Sequence, residues 1–393
     1  MSTRYFDYAA TTPLDPRVLE VMVPFMTERY GNANSLYALG RDAYRGLEDA
    51  RERFAASIGA QSPNEVLFTG CGTEGDNAAL IGIMARVASD GPAHLVVSSY
   101  EHHAILEPAH WLEKQGHSVS YVAPRADGHI HPEDLQSVMR PDTKLVSIMH
   151  GNNEIGALND IAALSAVAHA HGALMHTDAA QTLGKTPFDV NVLGVDSATF
   201  SAHKIYGPKG VGALYLRRGT KFEPQLKGGG QEFKKRSGTQ NVAGAAGFAA
   251  ALEFMIDEMP EESVRLASLR DRLITGITSR LENTEQTAPG GERLANIAPL
   301  LIKGVEGEAM LLQLDAQGIA VSTGSACSSG SLEPSHVLLA CGVPQEVAHG
   351  SLRLSLGRFT TDEDVEFFLE VFPPIVERLR SMSPVYTRMF GSK

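Results

Sequence analysis

The chain has 393 residues, enough for roughly two domains of ~150 residues each, and 43% of them are apolar. The formal net charge of −12 argues against a nucleic acid or an anionic membrane surface as the main partner. The three cysteines form no CxxC pair, so neither a disulfide framework nor a structural metal site is expected, and a reducing compartment fits better.

The sequence shows no sign of a targeting or membrane segment. Its first residues include Arg4 and Asp7 and lack an apolar h-region, so we predict no signal peptide. The longest apolar run, Ala245 to Leu252, is far shorter than the ~20 residues that a membrane span needs. We therefore expect a cytoplasmic protein that does not associate with membranes.

Strand-like apolar runs alternate with amphipathic helical stretches, such as Asp42–Ile58 and Ile161–His171, from about residue 40 to residue 255. The predicted strands are Glu65–Thr69, His94–Ser99, Ser118–Ala123, Leu145–Met149, Ala173–Thr177, Ser197–Ser201 and Gly212–Leu216. The alternation predicts an α/β fold with a mostly parallel, doubly wound sheet. Ligands of such sheets bind outside the carboxyl ends of the strands.

Towards the carboxyl terminus the pattern changes to that of a smaller α+β domain. The predicted elements there are helices Val242–Asp257 and Glu261–Glu282, an apolar run Ile297–Ile302, a helix Glu308–Gln317 and a final helix Thr361–Met382. We expect a large domain over residues 15–255 and a small domain formed by residues 1–14 and 256–393. The small domain would carry a loop at about residues 322–335, which we predict to be mobile.

Two predicted strands end in residues that suit an aldehyde cofactor with a cationic ring. Lys204 follows the strand Ser197–Ser201, where its amine can form a Schiff base with an aldehyde. Asp178 ends an apolar strand, and a buried carboxylate needs a cationic partner such as a pyridinium nitrogen. Gln181 could reach the phenolic oxygen of such a ring. The alternatives are an exposed loop lysine and an aspartate that only caps a helix.

The segment GCGTEGDN, Gly70 to Asn77, follows a strand and opens a predicted helix. Its free backbone N–H groups and the helix dipole favour a phosphate, although an ordinary turn between strand and helix would have the same pattern. It matches neither GxxxxGK[ST] nor GxGxxG, which weakens a nucleotide interpretation. His102, in EHHA after the next strand, can stack on a flat ring and shuttle protons, or can be an ordinary core histidine.

Two further residues suggest a thiol nucleophile and an anion site. Cys327 lies in STGSACSSGSLEPSHV, Ser322 to Val337, among small polar residues with no helical or strand pattern. A cysteine on such a loop is accessible and can move, although an incidental exposed thiol is an alternative. Arg353 alternates with apolar residues in SLRLSLGRF, so its fork is expected to face inward and bind a carboxylate, or to form a structural ion pair.

Taken together, these segments resemble the cysteine desulfurase family, in the NifS/IscS-like branch of fold-type I pyridoxal 5′-phosphate (PLP) enzymes. The resemblance runs nearly end to end, from YFDYAATTPLDP to RLRSMSP near residue 383. The motifs that carry it are, in order, NNEIG, HTDAAQ, SAHKIYGPKG, GGGQE…RSGT and GSACSSG. It implies an enzyme that strips sulfur from L-cysteine, leaving L-alanine and a persulfide on Cys327 for a sulfur-acceptor protein.

The resemblance also implies a role for individual residues around the cofactor. Lys204 would bind PLP covalently and His102 would stack on its ring, so that both residues and Cys327 would be catalytic. Asp178 would pair with the pyridinium nitrogen, and Gln181 with the phenolic oxygen. The phosphate would be held by Gly72, Thr73, Ser201 and His203.

The remaining implied roles concern the partner subunit and the substrate. Thr239 of the partner subunit would reach the phosphate, which implies a homodimer. Asn153 and Arg353 would orient the substrate, with Arg353 on its carboxylate. Cys71 stands where relatives often have Gly or Ser, and its role stays open.

The acceptor and two rival functions also stay open. The chain ends soon after RLRSMSPVYTRMF, whereas some relatives continue with a tail that docks an iron–sulfur scaffold. The acceptor could be such a scaffold, a tRNA-thiolating enzyme or a DNA phosphorothioation system. One rival is a selenocysteine lyase or another fold-type I PLP enzyme. The other is a non-enzymatic sulfur-relay scaffold, which we would expect to lack Lys204 or Asp178.

Overall fold

The computed structural model describes residues 3–88, 91–324 and 334–391. The strands are β1 (Arg4–Tyr5), β2 (Val66–Thr69), β3 (His94–Ser98), β4 (Ser118–Val122), β5 (Thr143–Ser147), β6 (Leu174–Asp178), β7 (Ser197–Ser201), β8 (Gly212–Leu216), β9 (Thr284–Gln286), β10 (Ile297–Ile302), β11 (Ile319–Ala320) and β12 (Ser351–Ser355). The helices are α1 (Pro16–Thr27), α2 (Ala38–Ser57), α3 (Gly72–Val87), α4 (His103–Lys114), α5 (Pro132–Val138), α6 (Ile161–Ala170), α7 (Gln231–Lys234), α8 (Val242–Thr278), α9 (Gly307–Asp315), α10 (His336–Ala340), α11 (Gln345–Ala348), α12 (Asp362–Ser381) and α13 (Pro384–Phe390).

The largest sheet has the strand order β2-β8-β7-β6-β5-β3-β4. Its strands pair in parallel from β7 through to β4, whereas β8 runs antiparallel to both β7 and β2. Helices cover both faces, because alternate residues of one strand enter different cores. Leu95 and Val97 of β3 pack in the cluster that contains α3 and α4, and Val96 packs in the cluster that contains α2 and α8. The predicted α/β fold is therefore confirmed.

A second, smaller sheet has the order β12-β10-β9, with antiparallel pairing throughout. It packs on the second half of α8 and on α12 in a separate hydrophobic cluster. Phe6, next to β1, belongs to this cluster and contacts Phe368, with 5.6 Å between ring centroids. These contacts support grouping the first residues with the carboxyl-terminal part of the chain, while the domain boundaries themselves stay a prediction.

The prediction of two helices, Val242–Asp257 and Glu261–Glu282, is wrong, because the structure has one continuous helix, α8, with Pro260 inside it. Proline inside a helix removes a backbone donor and costs about 3 kcal/mol. The two halves of α8 bury apolar residues in different clusters, Leu252 in the first and Leu269 in the second. We infer that burial of both halves offsets the cost of the proline. Within the described ranges, no helix is long and apolar enough to cross a membrane.

Candidate active site

A cavity of about 380 Å³ opens beside the carboxyl ends of the parallel strands. It brings together ten of the twelve site residues predicted from the sequence. These are Gly72, Thr73, His102, Asn153, Asp178, Gln181, Ser201, His203, Lys204 and Arg353. They come from segments far apart in the chain, and most of them follow strands of the largest sheet, where ligands of such sheets bind.

The amine of Lys204 points into this cavity from a single 3₁₀ turn that directly follows β7. Its Nζ donates hydrogen bonds to the carbonyl oxygens of Ala9 and Ala10, at 2.7 and 2.8 Å. Tyr206, two residues further on, has a φ of 63° and is held there because its N–H donates to Thr12 Oγ1. The amino-terminal segment therefore packs against the turn and fixes the lysine, which excludes the alternative of an exposed loop residue.

Asp178 is the last residue of β6, and its carboxyl is buried at the cavity wall. Its Oδ1 accepts a hydrogen bond from the backbone N–H of Ala180 at 2.8 Å. Burial raises the pKa of Asp178, and the nearby His102 and Lys204 oppose this only in part. A pyridinium nitrogen would supply the missing cationic partner, so this carboxyl fits the predicted ring.

Gln181 provides a second polar group for the ring. Its Nε2 donates to the carbonyl oxygen of Ala9 at 3.0 Å, and its buried Oε1 has no hydrogen-bond partner among the described residues. A buried polar atom of this kind usually has a partner, so the amide fits a ligand bound in the cavity. The orientation of the Gln181 amide follows from its hydrogen bond to Ala9. A ligand that offers an acceptor would favour the flipped amide, with Nε2 facing the ligand.

The amino terminus of α3 forms the end of the cavity expected for a phosphate. A Cβ placed on Gly72 would lie 3.3 Å from Ser201 Cβ, so glycine lets α3 approach β7 closely. The helix spans 16 residues, and its first N–H groups, with the hydroxyl-bearing Thr73 and Ser201, suit an anion. His203 contacts Thr11 Oγ1 through Nδ1 at 3.1 Å, and burial lowers its pKa to about 4, with Lys204 acting in the same direction.

His102 caps the amino terminus of α4, and its Nδ1 accepts a hydrogen bond from the N–H of Ala104 at 3.1 Å. In the neutral ring the proton therefore resides on Nε2. Burial lowers the pKa of His102, and Lys204 and His103 lower it further, while Asp178 raises it. The lowered pKa favours the neutral ring of His102, in which Nε2 carries the proton.

Arg353 reaches the cavity from β12, on the side of the smaller sheet. Its Nη2 donates to Asp7 Oδ1 at 2.7 Å, and its Nη1 donates to the carbonyl oxygen of Asn153 at 3.0 Å. Its buried Nε has no partner among the described residues. The ion pair that the sequence left open is therefore present, while binding of a substrate carboxylate by Arg353 stays a prediction. Asp7 was not predicted as a site residue, since nothing in its local sequence marks it.

Two predicted residues lie elsewhere. Cys327 falls outside the described residues. Thr239 is exposed in the loop after α7 and does not line the cavity. The neighbouring Gln240 accepts a hydrogen bond from Asn34 Nδ2 at 3.1 Å through its side-chain oxygen, which joins this loop to the segment before α2.

Sequence reasoning missed two fully or largely buried acids near the site. Asp76 lines the cavity, and its Oδ1 has no hydrogen-bond partner among the described residues. Glu101 is completely buried, accepts hydrogen bonds from the N–H of Met149 at 2.7 Å and from Ser98 Oγ, and its pKa is raised by burial to about 8. Asp76 lies within GCGTEGDN and Glu101 within EHHA, but only the tertiary structure shows that these carboxyls are buried.

We expect Glu101→Gln to gain stability relative to the wild-type protein as the pH rises. The folded-state pKa of about 8 lies above the ordinary value of 4.5, so the stability given by the protonated carboxyl is complete below pH 4.5 and is lost towards pH 8. Glutamine keeps the acceptor for Met149 and Ser98 but does not titrate. At ~1.4 kcal/mol per pKa unit, the stability difference should change by up to several kcal/mol between pH 5 and 8.

Urea unfolding of both holoproteins at equal concentration, at pH 5 and at pH 8, measures this difference. Glu306→Gln serves as the matched control, because Glu306 is exposed. A stability difference between wild type and Glu101→Gln that is the same at both pH values would contradict a buried, protonated Glu101.

Comparison with known proteins identifies the family. The family described as aminotransferase class-V matches residues 4–368. The cysteine desulfurase IscS of Dictyoglomus turgidum is 49% identical over 97% of this chain and 96% of its own length. The chain belongs to the cysteine desulfurase family. Its cofactor is accordingly pyridoxal 5′-phosphate, and the predicted family and cofactor are confirmed.

Solved structures agree with this membership of the cysteine desulfurase family. A protein titled NifS-like has a TM-score of 0.89 and 37% identity, and the match covers 96% of this chain and all of the other. SspA, solved in complex with cysteine, has a TM-score of 0.80 and 32% identity over 91% of this chain and all of the other. The fold of this family member is therefore the fold-type I arrangement expected from the sequence.

Proposed function

We propose that the chain is a PLP-dependent cysteine desulfurase, which converts L-cysteine to L-alanine and places the sulfur on Cys327 as a persulfide. Family membership supports the activity, and the observation that carries the proposal is a single cavity lined by Lys204, Asp178 and Arg353. These three residues offer an amine for the cofactor aldehyde, a carboxylate for its ring nitrogen and a cation for the substrate carboxylate. The related protein SspA was solved in complex with cysteine, which is the substrate proposed for this chain.

In the sequence, Cys327 lies close to a residue that lines this cavity. Gly324 lines the cavity, and Cys327 follows it by three residues. This closeness in the sequence supports the proposed role of Cys327 as the nucleophile.

The cofactor, when bound, supplies an electron sink that makes the α-proton of the amino acid removable. We propose that Lys204 takes this proton at Nζ, because its amine lies in the cavity between two carbonyl oxygens. The Cys327 thiolate then attacks the substrate sulfur, and the C–S bond breaks with its electron pair remaining on the carbon skeleton. Protonation of that carbon, together with return of the proton from Lys204 Nζ to the α-carbon, leaves alanine, and His102 donates from Nε2 to stabilise developing negative charge.

The test of the function is the product balance of the purified holoenzyme with L-cysteine. We expect one alanine for each sulfur that appears, first as a persulfide on Cys327 and then on a thiol acceptor. Selenocysteine and a keto-acid pair are the comparison substrates, since a selenocysteine lyase would release alanine from selenocysteine alone and an aminotransferase would need no thiol. Pyruvate or a keto acid as the main product would contradict the proposal.

We expect Arg353→Ala to lower kcat/KM for cysteine by about 10- to 100-fold, chiefly through KM, because a hydrogen bond to a charged group contributes about 1.5–3 kcal/mol. The absorbance of the lysine-bound cofactor should not change, since Arg353 lies on the substrate side. Steady-state kinetics with cysteine measure the effect. Arg125→Ala, which removes an exposed arginine, and Asp7→Asn, which removes only the ion pair, are the controls. An unchanged KM in Arg353→Ala would contradict the assignment.

We further propose that the chain acts as a homodimer. Large apolar side chains are exposed around α1 and α2, including Tyr30 at 66%, Leu36 at 89% and Tyr37 at 62%, and the hydrogen bond between Asn34 and Gln240 joins this surface to the Thr239 loop. A patch of this kind is typical of an interface. Thr239 of the partner subunit would then reach the phosphate end of the cavity. A monomer in sedimentation velocity of the holoenzyme would contradict this proposal.

We propose that the sulfur leaves on an acceptor protein in the cytoplasm, with an iron–sulfur scaffold as the first candidate. The outer sulfur of a persulfide on Cys327 leaves the enzyme by transfer to the thiol of an acceptor. Transfer of labelled sulfur to a purified scaffold protein is therefore the direct test. No transfer of label above the level of a thiol-free control protein would contradict the scaffold as acceptor.

A further inference from the structure

One threonine of the amino-terminal segment contacts the backbone on both sides of Lys204. Thr12 is buried and does not line the active-site cavity. Its Oγ1 donates a hydrogen bond to the carbonyl oxygen of His203 at 3.0 Å and accepts one from the N–H of Tyr206 at 2.7 Å. The N–H of Thr12 also donates to the carbonyl oxygen of His203, at 3.0 Å. Lys204 therefore lies between two residues whose backbones are bound to Thr12.

The directions of these hydrogen bonds follow from the donors that are available. A backbone N–H can only donate, so the hydroxyl of Thr12 accepts from Tyr206. A hydroxyl carries one proton, and that proton is then left for the carbonyl oxygen of His203. Serine in place of Thr12 would keep both hydrogen bonds of the hydroxyl. Valine has the shape of threonine but offers neither the donor nor the acceptor.

The hydrogen bond to Tyr206 matters because the backbone of this residue is strained. Its φ of 63° is in the left-handed region, which residues other than glycine rarely adopt. Two further hydrogen bonds hold Tyr206. Its carbonyl oxygen accepts from the N–H of Asp15 at 3.0 Å, and its hydroxyl oxygen accepts from the N–H of Arg358 at 2.7 Å. Contacts from both ends of the chain therefore determine how the backbone leaves Lys204.

We propose that Thr12 is a positioning residue, which aims the amine of Lys204 at the α-proton of the substrate. The proposal rests on the proposed function, in which Lys204 removes this proton. Covalent attachment of the cofactor requires only that the amine reach the aldehyde, whereas proton transfer depends steeply on the distance and angle between the reacting atoms. Loss of the Thr12 hydroxyl should therefore slow proton removal and leave the attachment intact.

The experiment measures how fast the holoenzyme exchanges the α-hydrogen of L-alanine, the proposed product, for deuterium in heavy water. Alanine has no sulfur, so this exchange requires Lys204 and the cofactor but not the thiol of Cys327. We expect Thr12→Val to slow the exchange by about 10- to 100-fold, because a misplacement of about 1 Å can cost about 100-fold in rate. Thr12→Ser, which keeps the hydroxyl, should restore the rate. Nuclear magnetic resonance of the alanine follows the exchange.

Thr143→Val is the matched control for the loss of a buried hydroxyl. Thr143 is buried at the start of β5, the end of the strand away from the cavity. Its Oγ1 also makes two hydrogen bonds, to the N–H of Arg140 and to His94 Nδ1, each at 2.8 Å. We expect Thr143→Val to exchange alanine at the wild-type rate.

Borohydride reduction and absorbance should show the cofactor attached to Lys204 in all of these variants. A wild-type exchange rate in Thr12→Val, an equal loss in Thr143→Val, or loss of attachment in Thr12→Val would overturn the proposal. If Thr12→Val does not fold, Thr12→Ala takes its place, because it removes the same two hydrogen bonds of the hydroxyl with a smaller side chain.

A second readout does not depend on any reaction of the enzyme. The backbone N–H of Tyr206 should exchange with heavy water faster in Thr12→Val than in the wild type, because its acceptor is lost, and should stay protected in Thr12→Ser. Mass spectrometry of the peptide that contains Tyr206 measures this exchange. Faster exchange of this N–H together with a wild-type rate on alanine would mean that Thr12 is only structural, which overturns the proposal.

Failure of the proposed function would look different from failure of this proposal. The wild-type holoenzyme would then exchange the α-hydrogen of alanine but would form no persulfide from cysteine. Failure of the proposal on Thr12 would leave persulfide formation by the wild type intact and would appear only in the comparison of Thr12→Val with Thr12→Ser and Thr143→Val.

Discussion

Replacing Lys204 by alanine is expected to abolish covalent attachment of the cofactor and to reduce desulfuration by more than about 100-fold, because the amine both anchors PLP and carries the α-proton. The physical reason lies in the placement of Nζ, which enters the cavity and is held by the carbonyl oxygens of Ala9 and Ala10. Absorbance of the protein reconstituted with PLP, and mass spectrometry after borohydride reduction, measure the attachment.

Lys185 is the informative control for this experiment. Its Nζ is buried without a partner among the described residues, and burial lowers its pKa to about 7, with Lys204 acting in the same direction. A neutral buried amine could in principle react with an aldehyde, but Lys185 lines a separate cavity with Tyr206 and Arg358. We expect Lys185→Ala to keep the reducible cofactor bond. A borohydride-stable adduct on Lys185 in wild-type protein would refute the assignment of Lys204.

Replacing Cys327 by serine is expected to leave cofactor binding intact and to remove persulfide formation, with loss of alanine production of more than about 100-fold. A serine hydroxyl is far less nucleophilic than a thiolate and cannot accept sulfur as a stable persulfide. The cofactor and the lysine are untouched, so the absorbance of the holoenzyme should match that of the wild type. Alanine and acid-labile sulfur, measured after a single addition of cysteine, give the result.

The other two cysteines are the matched controls for Cys327. Cys71 lines the cavity at the start of α3, where its Sγ accepts from the N–H of Glu74 at 3.4 Å, so it is the one rival thiol near the cofactor among the described residues. Cys341 is buried, and burial raises its pKa to about 12, which keeps it a thiol. We expect Cys71→Ser and Cys341→Ser to retain persulfide formation. Full alanine production by Cys327→Ser, with labelled sulfur on Cys71, would transfer the role to Cys71.

Local sequence predicted the parallel sheet well. The bounds of β7 and β8 were predicted to the residue, because each is a short run of residues that suit strands, bounded by turn segments that contain Gly, Pro or Asp. The same local signals placed Asp178 and Lys204 at strand ends, and the topological rule for such sheets then predicted one shared site. The sequence did not predict that the two helices join into α8. Proline is a helix-breaking signal that can be read from a short segment, whereas the burial that offsets its cost depends on the tertiary structure.

The amino-acid sequence by itself determined the sheet, the family and the residue types that can bind the cofactor, because strand periodicity, turn chemistry and motif order are properties of short segments. Only the tertiary structure decided that the carbonyls of Ala9 and Ala10 hold Lys204, that Asp7 pairs with Arg353, and that Glu154 touches Gly324 and Ser335. Every residue carries a backbone carbonyl, so the residue types at Ala9 and Ala10 do not indicate that their carbonyls bind Lys204. Contacts between residues about 170 to 350 positions apart depend on how the elements pack, and no local pattern carries that information.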